Sequence, residues 1–168
     1  MKILRGAINV LKVLDRFLGK AAEIITALAV FVQMVLIFVA VCFRYFLNSP
    51  LTWSDELSSY LLVVVTFFGA YGALRLNLMA KIELAINSIP IDVRRFLVLL
   101  ANLATFIFVA IVIYSGVLLT LSPAVVQQKS PALGLPMYWV YVVVPLASIM
   151  MVIHLIVRAY ETFYEGER

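Results

Sequence analysis

The stretch IITALAVFVQMVLIFVAVCF, residues Ile24–Phe43, decides the fold because it contains no charged residue. A run of about 20 apolar residues is long enough to cross the hydrocarbon core of a bilayer as an α-helix. The whole chain has the same character, with 65% hydrophobic and 13% charged residues. Soluble domains are about 45–50% apolar and about 25% charged. The sequence therefore predicts an integral membrane protein rather than a soluble one.

Three further apolar stretches predict an all-α membrane protein with four transmembrane helices, forming one domain over residues 1–168. Basic residues or turns delimit each span: Arg44 and Arg75 close the first two, and Arg158 closes the last. A short interfacial helix is predicted before the second span. The predicted segments are an amphipathic helix (1–20), spans at about 21–44, 57–75, 96–121 and 136–158, outer connections at 48–56 and 122–135, a cytoplasmic loop at 76–95 and a cytoplasmic tail at 159–168.

Residues 2–20 have the pattern of an amphipathic helix, because the basic residues together with Asn9 recur every three or four positions and apolar ones occupy the other side. Such a helix suits an anionic cytoplasmic leaflet, with the bilayer itself as a binding partner. The alternative is a solvated extension of the first span. The compact apolar block of a cleavable signal peptide is not evident.

The distribution of lysine and arginine predicts the orientation of the chain. Basic residues favour the cytoplasmic side of a membrane, and most of them lie at the two termini and in the middle loop. Both termini are therefore predicted to be cytoplasmic, and the formal charge of +4 is a topology signal and no sign of nucleic-acid binding. The cytoplasmic set is Lys2, Arg5, Lys12, Arg16, Lys20, Arg75, Lys81, Arg94, Arg95, Arg158 and Arg168, against Arg44 and Lys129 outside.

No catalytic, cofactor or metal site is predicted, and the chain is not expected to be an enzyme. His154 is the one histidine and is interpreted as a packed or interface-facing side chain. A transporter that works alone usually carries ionisable groups at mid-membrane, whereas these spans are close to charge-free. Glu23 lies at the edge of the first span, and Gln33 is interpreted as an interhelical hydrogen-bond partner. These features favour a membrane subunit that supports a partner.

Asp55 and Glu56 allow three interpretations. They suit a helix start, with Thr52 as N-cap and Asp55 three residues later. One of them can pair with Arg44, the other charge on that connection, or with a partner. The third interpretation is contact with an ion or substrate. A catalytic pair is disfavoured, because adjacent residues on a helix point about 100° apart.

Small, aromatic and proline residues complete the candidate structural or interface positions. Gly69 and Ala73 are four apart and allow another helix to approach closely. Pro136 fits the first turn of the fourth helix, and Pro145 is expected to kink it. Trp53 and Tyr141 are typical of the membrane–water interface.

Four motifs in order resemble the small (Q-type) membrane subunit of tripartite ATP-independent periplasmic (TRAP) transporters. Arg44 after the first span precedes a W-x-x-E segment, and a Gly-Ala span ends in Arg75. A late proline–tyrosine–proline run follows at Pro136, Tyr141 and Pro145. The middle loop departs from the family, because Met79 stands where a histidine is common. The matching stretches are FRYFLNSPLTWSDELSSYLL, GAYGALR, AKIELAINSIPIDVRR and SPALGLPMYWVYVVVPLASIMM.

This resemblance implies a subunit of a bacterial inner-membrane complex. A large membrane subunit would carry the substrate and sodium sites, and a periplasmic substrate-binding protein would capture an organic acid such as sialic acid or a dicarboxylate. The small subunit would be a scaffold for the large one and would help to dock the binding protein. Two other hypotheses remain: a four-helix membrane anchor of a redox enzyme, or a small oligomeric exporter with Glu23 as its proton-coupling site.

Overall fold

The computed structural model describes residues 2–76 and 91–164, with side chains described for residues 10–76 and 100–159. Four of its helices contain segments long and apolar enough to cross a membrane: Val10–Phe46, Thr52–Arg75, Leu100–Thr120 and Tyr138–Ala159. The prediction of an all-α, four-span fold is confirmed. Residues 77–90, which hold most of the predicted cytoplasmic loop, lie outside the described residues, and the N-in, C-in orientation stays a prediction. The helices are α1 (Lys2–Phe46), α2 (Thr52–Arg75), α3 (Ile91–Thr120), α4 (Pro123–Gln127) and α5 (Tyr138–Tyr164).

Helix α1 is 45 residues long and runs from the predicted amphipathic segment through the first span without a break. It contains no proline, and a glycine inside a helix such as Gly19 costs only about 1 kcal/mol relative to alanine. At about 1.5 Å per residue, α1 is about 67 Å long, roughly twice the hydrocarbon thickness of about 30 Å. The helix has no break near residue 20, and the interfacial position of residues 1–20 stays a prediction.

Helix α2 begins differently from the prediction. Its N-cap is Leu51, which is extended (φ −81, ψ 98) and makes no side-chain capping bond. The Leu51 carbonyl accepts hydrogen bonds from the Ser54 backbone N–H and from Ser54 Oγ at 3.2 and 2.7 Å. The capping box with Thr52 as N-cap is wrong, because Thr52 is already helical. The separate interfacial helix is also wrong, since residues 52–56 form the first turn of α2.

Helix α5 is the centre of the described bundle and contacts α1, α2 and α3. The buried core lies in the half nearest the C-terminal end of α2. Helices α3 and α5 approach closely, because a Cβ atom added to Gly116 would lie 3.3 Å from Pro145 Cδ. The core consists of Ala22, Phe68, Tyr71, Leu74, Val109, Met150, Met151 and Leu155.

The connection between α3 and α5 is ordered rather than an irregular loop. Ser122 caps α4, with its side chain accepting from the Val125 N–H and a proline in the first turn. A hairpin-like loop follows, closed by an antiparallel bridge between Lys129 and Pro136 and turned at Gly134, whose φ is +65. Helix α5 begins at Tyr138, so Pro136 lies two residues before it and not inside its first turn.

Candidate functional site

A buried carboxylate links three helices at the end of the bundle that holds the C-terminus of α2. Asp15 of α1 accepts a hydrogen bond at Oδ1 from the Tyr71 hydroxyl of α2, at 3.0 Å. His154 Nδ1 of α5 lies 3.2 and 3.1 Å from the two carboxylate oxygens. Arg75 Nε lies 3.8 Å from Asp15 Oδ2, whose side chain is 10% exposed. We call Asp15, Glu23, Tyr71, Arg75 and His154 the Asp15 cluster.

Arg75 connects the two acids of this cluster along α1. Its Nη1 donates a hydrogen bond to Glu23 Oε1 at 3.2 Å. Between the two acids the guanidinium lies directly over Gly19, where an added Cβ atom would be 1.9 Å from Nη1. Glycine therefore gives the guanidinium room to lie against the α1 backbone. Helix α1 is fixed to α2 by this contact as well as by the ion pairs.

His154 is a packed side chain, which is one of the two alternatives interpreted from the sequence. Besides its contact with Asp15, its ring meets Tyr71 edge-on, with centroids 6.3 Å apart and planes at 89°. Asp15 itself was missed. The signal was present, because Asp15 is the one acid within the basic residues 2–20, and helical spacing puts it on the face of Gly19, Ala22 and Ala29. What spacing cannot give is the identity of the partner helices.

A second carboxylate accepts hydrogen bonds from a loop at the opposite end of the bundle. Glu56 Oε2 accepts hydrogen bonds from Ser130 Oγ and from the backbone N–H groups of Ala132 and Leu133, the last two at 3.1 Å each. The loop is closed on itself by the Ser130 N–H, which donates to the Leu135 carbonyl at 2.8 Å. We call these contacts the Glu56 clamp. Helix α2 thereby fixes the loop that precedes α5.

The neighbouring acid, Asp55, points to another partner. Its Oδ2 lies 3.6 Å from Arg44 Nη2, with both side chains more than half exposed. Asp55 and Glu56 thus diverge to α1 and to the α4–α5 loop, and they do not form a common pair. Trp53 and Tyr141 lie in the first turns of α2 and α5 at this same end.

The other predicted positions lie between the two ends. A Cβ atom on Gly69 would meet Thr26 Cγ2 at 3.9 Å, so Gly69 faces α1, while Ala73 is half-buried. The interhelical hydrogen bond of Gln33 is confirmed: its Nε2 lies 3.4 Å from Ser58 Oγ on α2.

The Asp15 cluster, the Glu56 clamp and the Arg44–Asp55 pair hold parts of the chain together through ion pairs and hydrogen bonds. Among the described residues, no three or more histidine, cysteine, aspartate or glutamate side chains are grouped so as to hold a metal ion. Glu23, the proton-coupling site of the exporter hypothesis, is engaged by Arg75. The structure thus brings Arg44 to Asp55, Arg75 to Glu23, and Pro145 to Gly116, and it leaves Trp53 partly exposed.

Comparison with known proteins gives a consistent result. Residues 33–165 match the family described as tripartite ATP-independent periplasmic transporters, DctQ component. The chain is 28% identical to the C4-dicarboxylate TRAP transporter small permease protein DctQ of Rhodobacter capsulatus, over 90% of this chain and 80% of that protein. It is 27% identical to the ectoine TRAP transporter small permease protein TeaB of Halomonas elongata, over 86% and 75%. A putative TRAP transporter small permease protein of Haemophilus influenzae is 26% identical over 90% and 92%.

Proposed function

Because the chain belongs to the DctQ family of small permease subunits of TRAP transporters, we propose that it is the static scaffold of a sodium-coupled transporter for an organic acid. The protein is a multi-pass protein of the bacterial inner membrane. The substrate and sodium sites belong in this proposal to the large membrane subunit. The carried acid is a carboxylate of the dicarboxylate or sialic-acid kind, delivered by a periplasmic binding protein.

One observation carries the scaffold proposal: the acidic side chains described by the structure lie at the two ends of the bundle, and each binds another part of the chain. The Asp15 cluster ties α1, α2 and α5, and Arg44 with Asp55 ties α1 to α2. The sequence between these ends carries no Asp, Glu, Lys or Arg in residues 24–43 or 57–74. Substrate and ion pathways through membranes are marked by ionisable or unwound mid-membrane features. A chain that fixes its charges in this way is suited to bracing a moving partner.

The Glu56 clamp supports a docking role for the end of the bundle that is predicted to be periplasmic. It holds residues 129–136 in a defined form, and Lys129 and Trp139 remain exposed beside it. A preorganised loop loses less conformational entropy on binding than a free one. Tryptophan is enriched among the residues that contribute most to protein recognition. We assign this loop a part in receiving the binding protein.

Reconstitution into liposomes tests the scaffold proposal. The purified chain alone is expected to give no sodium-driven uptake of labelled dicarboxylate or sialic acid in the presence of the binding protein. The chain together with the large subunit is expected to give uptake, which disappears when the sodium gradient is removed. Uptake by the small subunit alone, or full activity of the large subunit without it, would overturn the proposal.

A variant tests the docking part separately. Glu56→Gln in the assembled transporter is expected to raise the concentration of binding protein needed for half-maximal uptake, while uptake at saturating binding protein is retained. The matched control is Asp55→Asn, which leaves the clamp intact. An unchanged concentration dependence for Glu56→Gln would count against docking at this loop.

A further inference from the structure

A methionine sulfur and a tyrosine hydroxyl join α2 to the segment just before α5. The Tyr60 hydroxyl donates a hydrogen bond to Met137 Sδ at 3.3 Å. Both side chains are half-buried, and Met137 directly precedes Tyr138, the first residue of α5. A thioether sulfur is only a weak hydrogen-bond acceptor, so a stronger acceptor at this position would take the hydroxyl hydrogen from it. We call this pair the Tyr60–Met137 contact.

The Tyr60–Met137 contact extends the attachment that the Glu56 clamp makes. Glu56 and Tyr60 are four residues apart on α2 and therefore lie on the same face of the helix. Glu56 holds the middle of the loop, and Tyr60 holds its end at Met137. The Met137 backbone N–H also donates to the Gln128 carbonyl at 3.0 Å, which helps to close the loop. A change at the Met137 side chain consequently acts beside a backbone bond that gives the loop its form.

Position distinguishes Met137 from the other methionines whose side chains the structure describes. Met150 and Met151 are only 6% and 9% exposed and lie in the core. Met34 is 61% exposed but lies in the middle of the charge-free run 24–43, which is long enough to fill the hydrocarbon core. Among these four residues, Met137 is the one outside the apolar spans. Water-soluble oxidants therefore reach its sulfur first.

We propose that Met137 is an oxidation site at which a hydroperoxide loosens the loop before α5. The sulfur gives a lone pair to one peroxide oxygen, the O–O bond breaks and an S–O bond forms. The sulfur is oxidised by two electrons, and the second oxygen leaves with the proton of the first as water. The product is methionine sulfoxide, which is polar where the thioether was apolar. This property belongs to the chain by itself and goes beyond the scaffold function.

The added oxygen changes the contact with α2. It occupies the side of the sulfur that the Tyr60 hydroxyl now touches, or it forces the side chain to turn away from that hydroxyl. In either case the sulfur and the hydroxyl separate, while Glu56 still holds Ala132 and Leu133. The loop is then pulled at one end only, and the neighbouring bond from the Met137 N–H to the Gln128 carbonyl opens more often. Methionine sulfoxide reductases convert the sulfoxide back to the thioether, so the change is reversible.

Peroxide treatment of the full-length chain in lipid nanodiscs tests this assignment. Peptide mass spectrometry is expected to find added oxygen at Met137 before Met150 and Met151. Amide exchange at Met137 is expected to become about fivefold faster, which corresponds to the loss of one hydrogen bond. Exchange near Tyr71 should be unchanged, and a methionine sulfoxide reductase should restore the original rate. Unchanged exchange after complete oxidation of Met137 would overturn the inference.

Two variants show whether the effect passes through this contact. Met137→Leu keeps a similar side-chain volume and cannot be oxidised, so peroxide should leave its loop exchange unchanged. Tyr60→Phe removes the donor, so exchange at Met137 should be faster before oxidation and should respond less to peroxide than in the wild type. Thermal unfolding checks that both variants are folded. Acceleration by peroxide in Met137→Leu, or a full wild-type response in Tyr60→Phe, would also overturn the inference.

Discussion

Arg75 and Arg44 each pair with a carboxylate on a neighbouring helix, at opposite ends of the same α1–α2 pair. The Arg75 side chain is 21% exposed, lies against Gly19 and meets two acids. The Arg44 side chain is 54% exposed and meets one acid, Asp55, which is 76% exposed. Exposed ion pairs contribute about 0–1 kcal/mol, whereas breaking a buried one costs about 3–5 kcal/mol. Ion pairs of the same chemistry thus differ in strength because of their surroundings.

The largest expected effect comes from removing the acceptor of the Asp15 cluster. Asp15→Ala leaves Arg75, Tyr71 and His154 facing an empty site and is expected to lower the free energy of unfolding by about 3 kcal/mol. The measurement is thermal unfolding of the purified chain in detergent. Asp55→Ala is the matched control and should change stability by less than about 1 kcal/mol. Equal shifts for the two variants would remove the distinction between the two ends.

Disturbing the contact between Arg75 and Gly19 is expected to lower the free energy of unfolding by a smaller amount. Gly19→Ala places a methyl group where Arg75 lies, so the guanidinium must move and its two ion pairs weaken. The expected loss is about 1–2 kcal/mol, against an intrinsic helix gain of up to about 1 kcal/mol. Gly72→Ala is the control, because nothing lies within 4 Å of its added Cβ atom, and it should be neutral or stabilising. A stabilising Gly19→Ala would show that the guanidinium contact is dispensable.

At the opposite end, the Glu56 clamp is expected to give a local effect. Glu56→Gln replaces charge-assisted hydrogen bonds with weaker neutral ones and frees the loop before α5. Amide hydrogen exchange at Ala132 and Leu133 should become faster, while exchange in the core near Tyr71 is unchanged. Accelerated exchange across the whole bundle would contradict a local role and make this end as important for stability as the Asp15 cluster.

The smallest expected effect is that of Arg44→Ala. It removes one exposed ion pair and should lower the unfolding free energy by less than about 1 kcal/mol. High salt should shrink the difference further, because exposed pairs are screened. Thermal unfolding at low and high ionic strength measures both. A loss comparable to that of Asp15→Ala would mean that α1 and α2 are held equally at their two ends.

Composition and charge-free runs were sufficient to predict the four spans. The length and the apolar surface of a helix depend on local sequence. The thickness of the bilayer sets the length that a spanning helix needs, and its lack of water requires the backbone hydrogen bonds to be made within the helix. The interfacial position of residues 1–20 stays a prediction, and α1 continues through residue 20 because Gly19 does not end a helix. The cap at Thr52 was wrong, since the extended residue turned out to be Leu51.

The Asp15 cluster could not be predicted from the sequence because its members are far apart along the chain. Asp15 and His154 are 139 positions apart, and no local pattern links them. The Glu56 clamp was missed for a related reason, since its donors include the backbone N–H groups of Ala132 and Leu133, which side-chain motifs do not report. The pairing of Arg44 with Asp55 was one of the three interpretations of the two acids, because few charged residues lie in the connection between the first and second spans.

The Asp15 cluster also implies an order of assembly during synthesis. Tyr71 and Arg75 belong to the second span, whereas His154 belongs to the last one and emerges from the ribosome later. An unpaired buried carboxylate is costly, so Asp15 is best shielded first by the α1–α2 hairpin. His154 then completes the cluster when the last span arrives. A chain truncated before this histidine would leave Asp15 with only its Tyr71 and Arg75 partners.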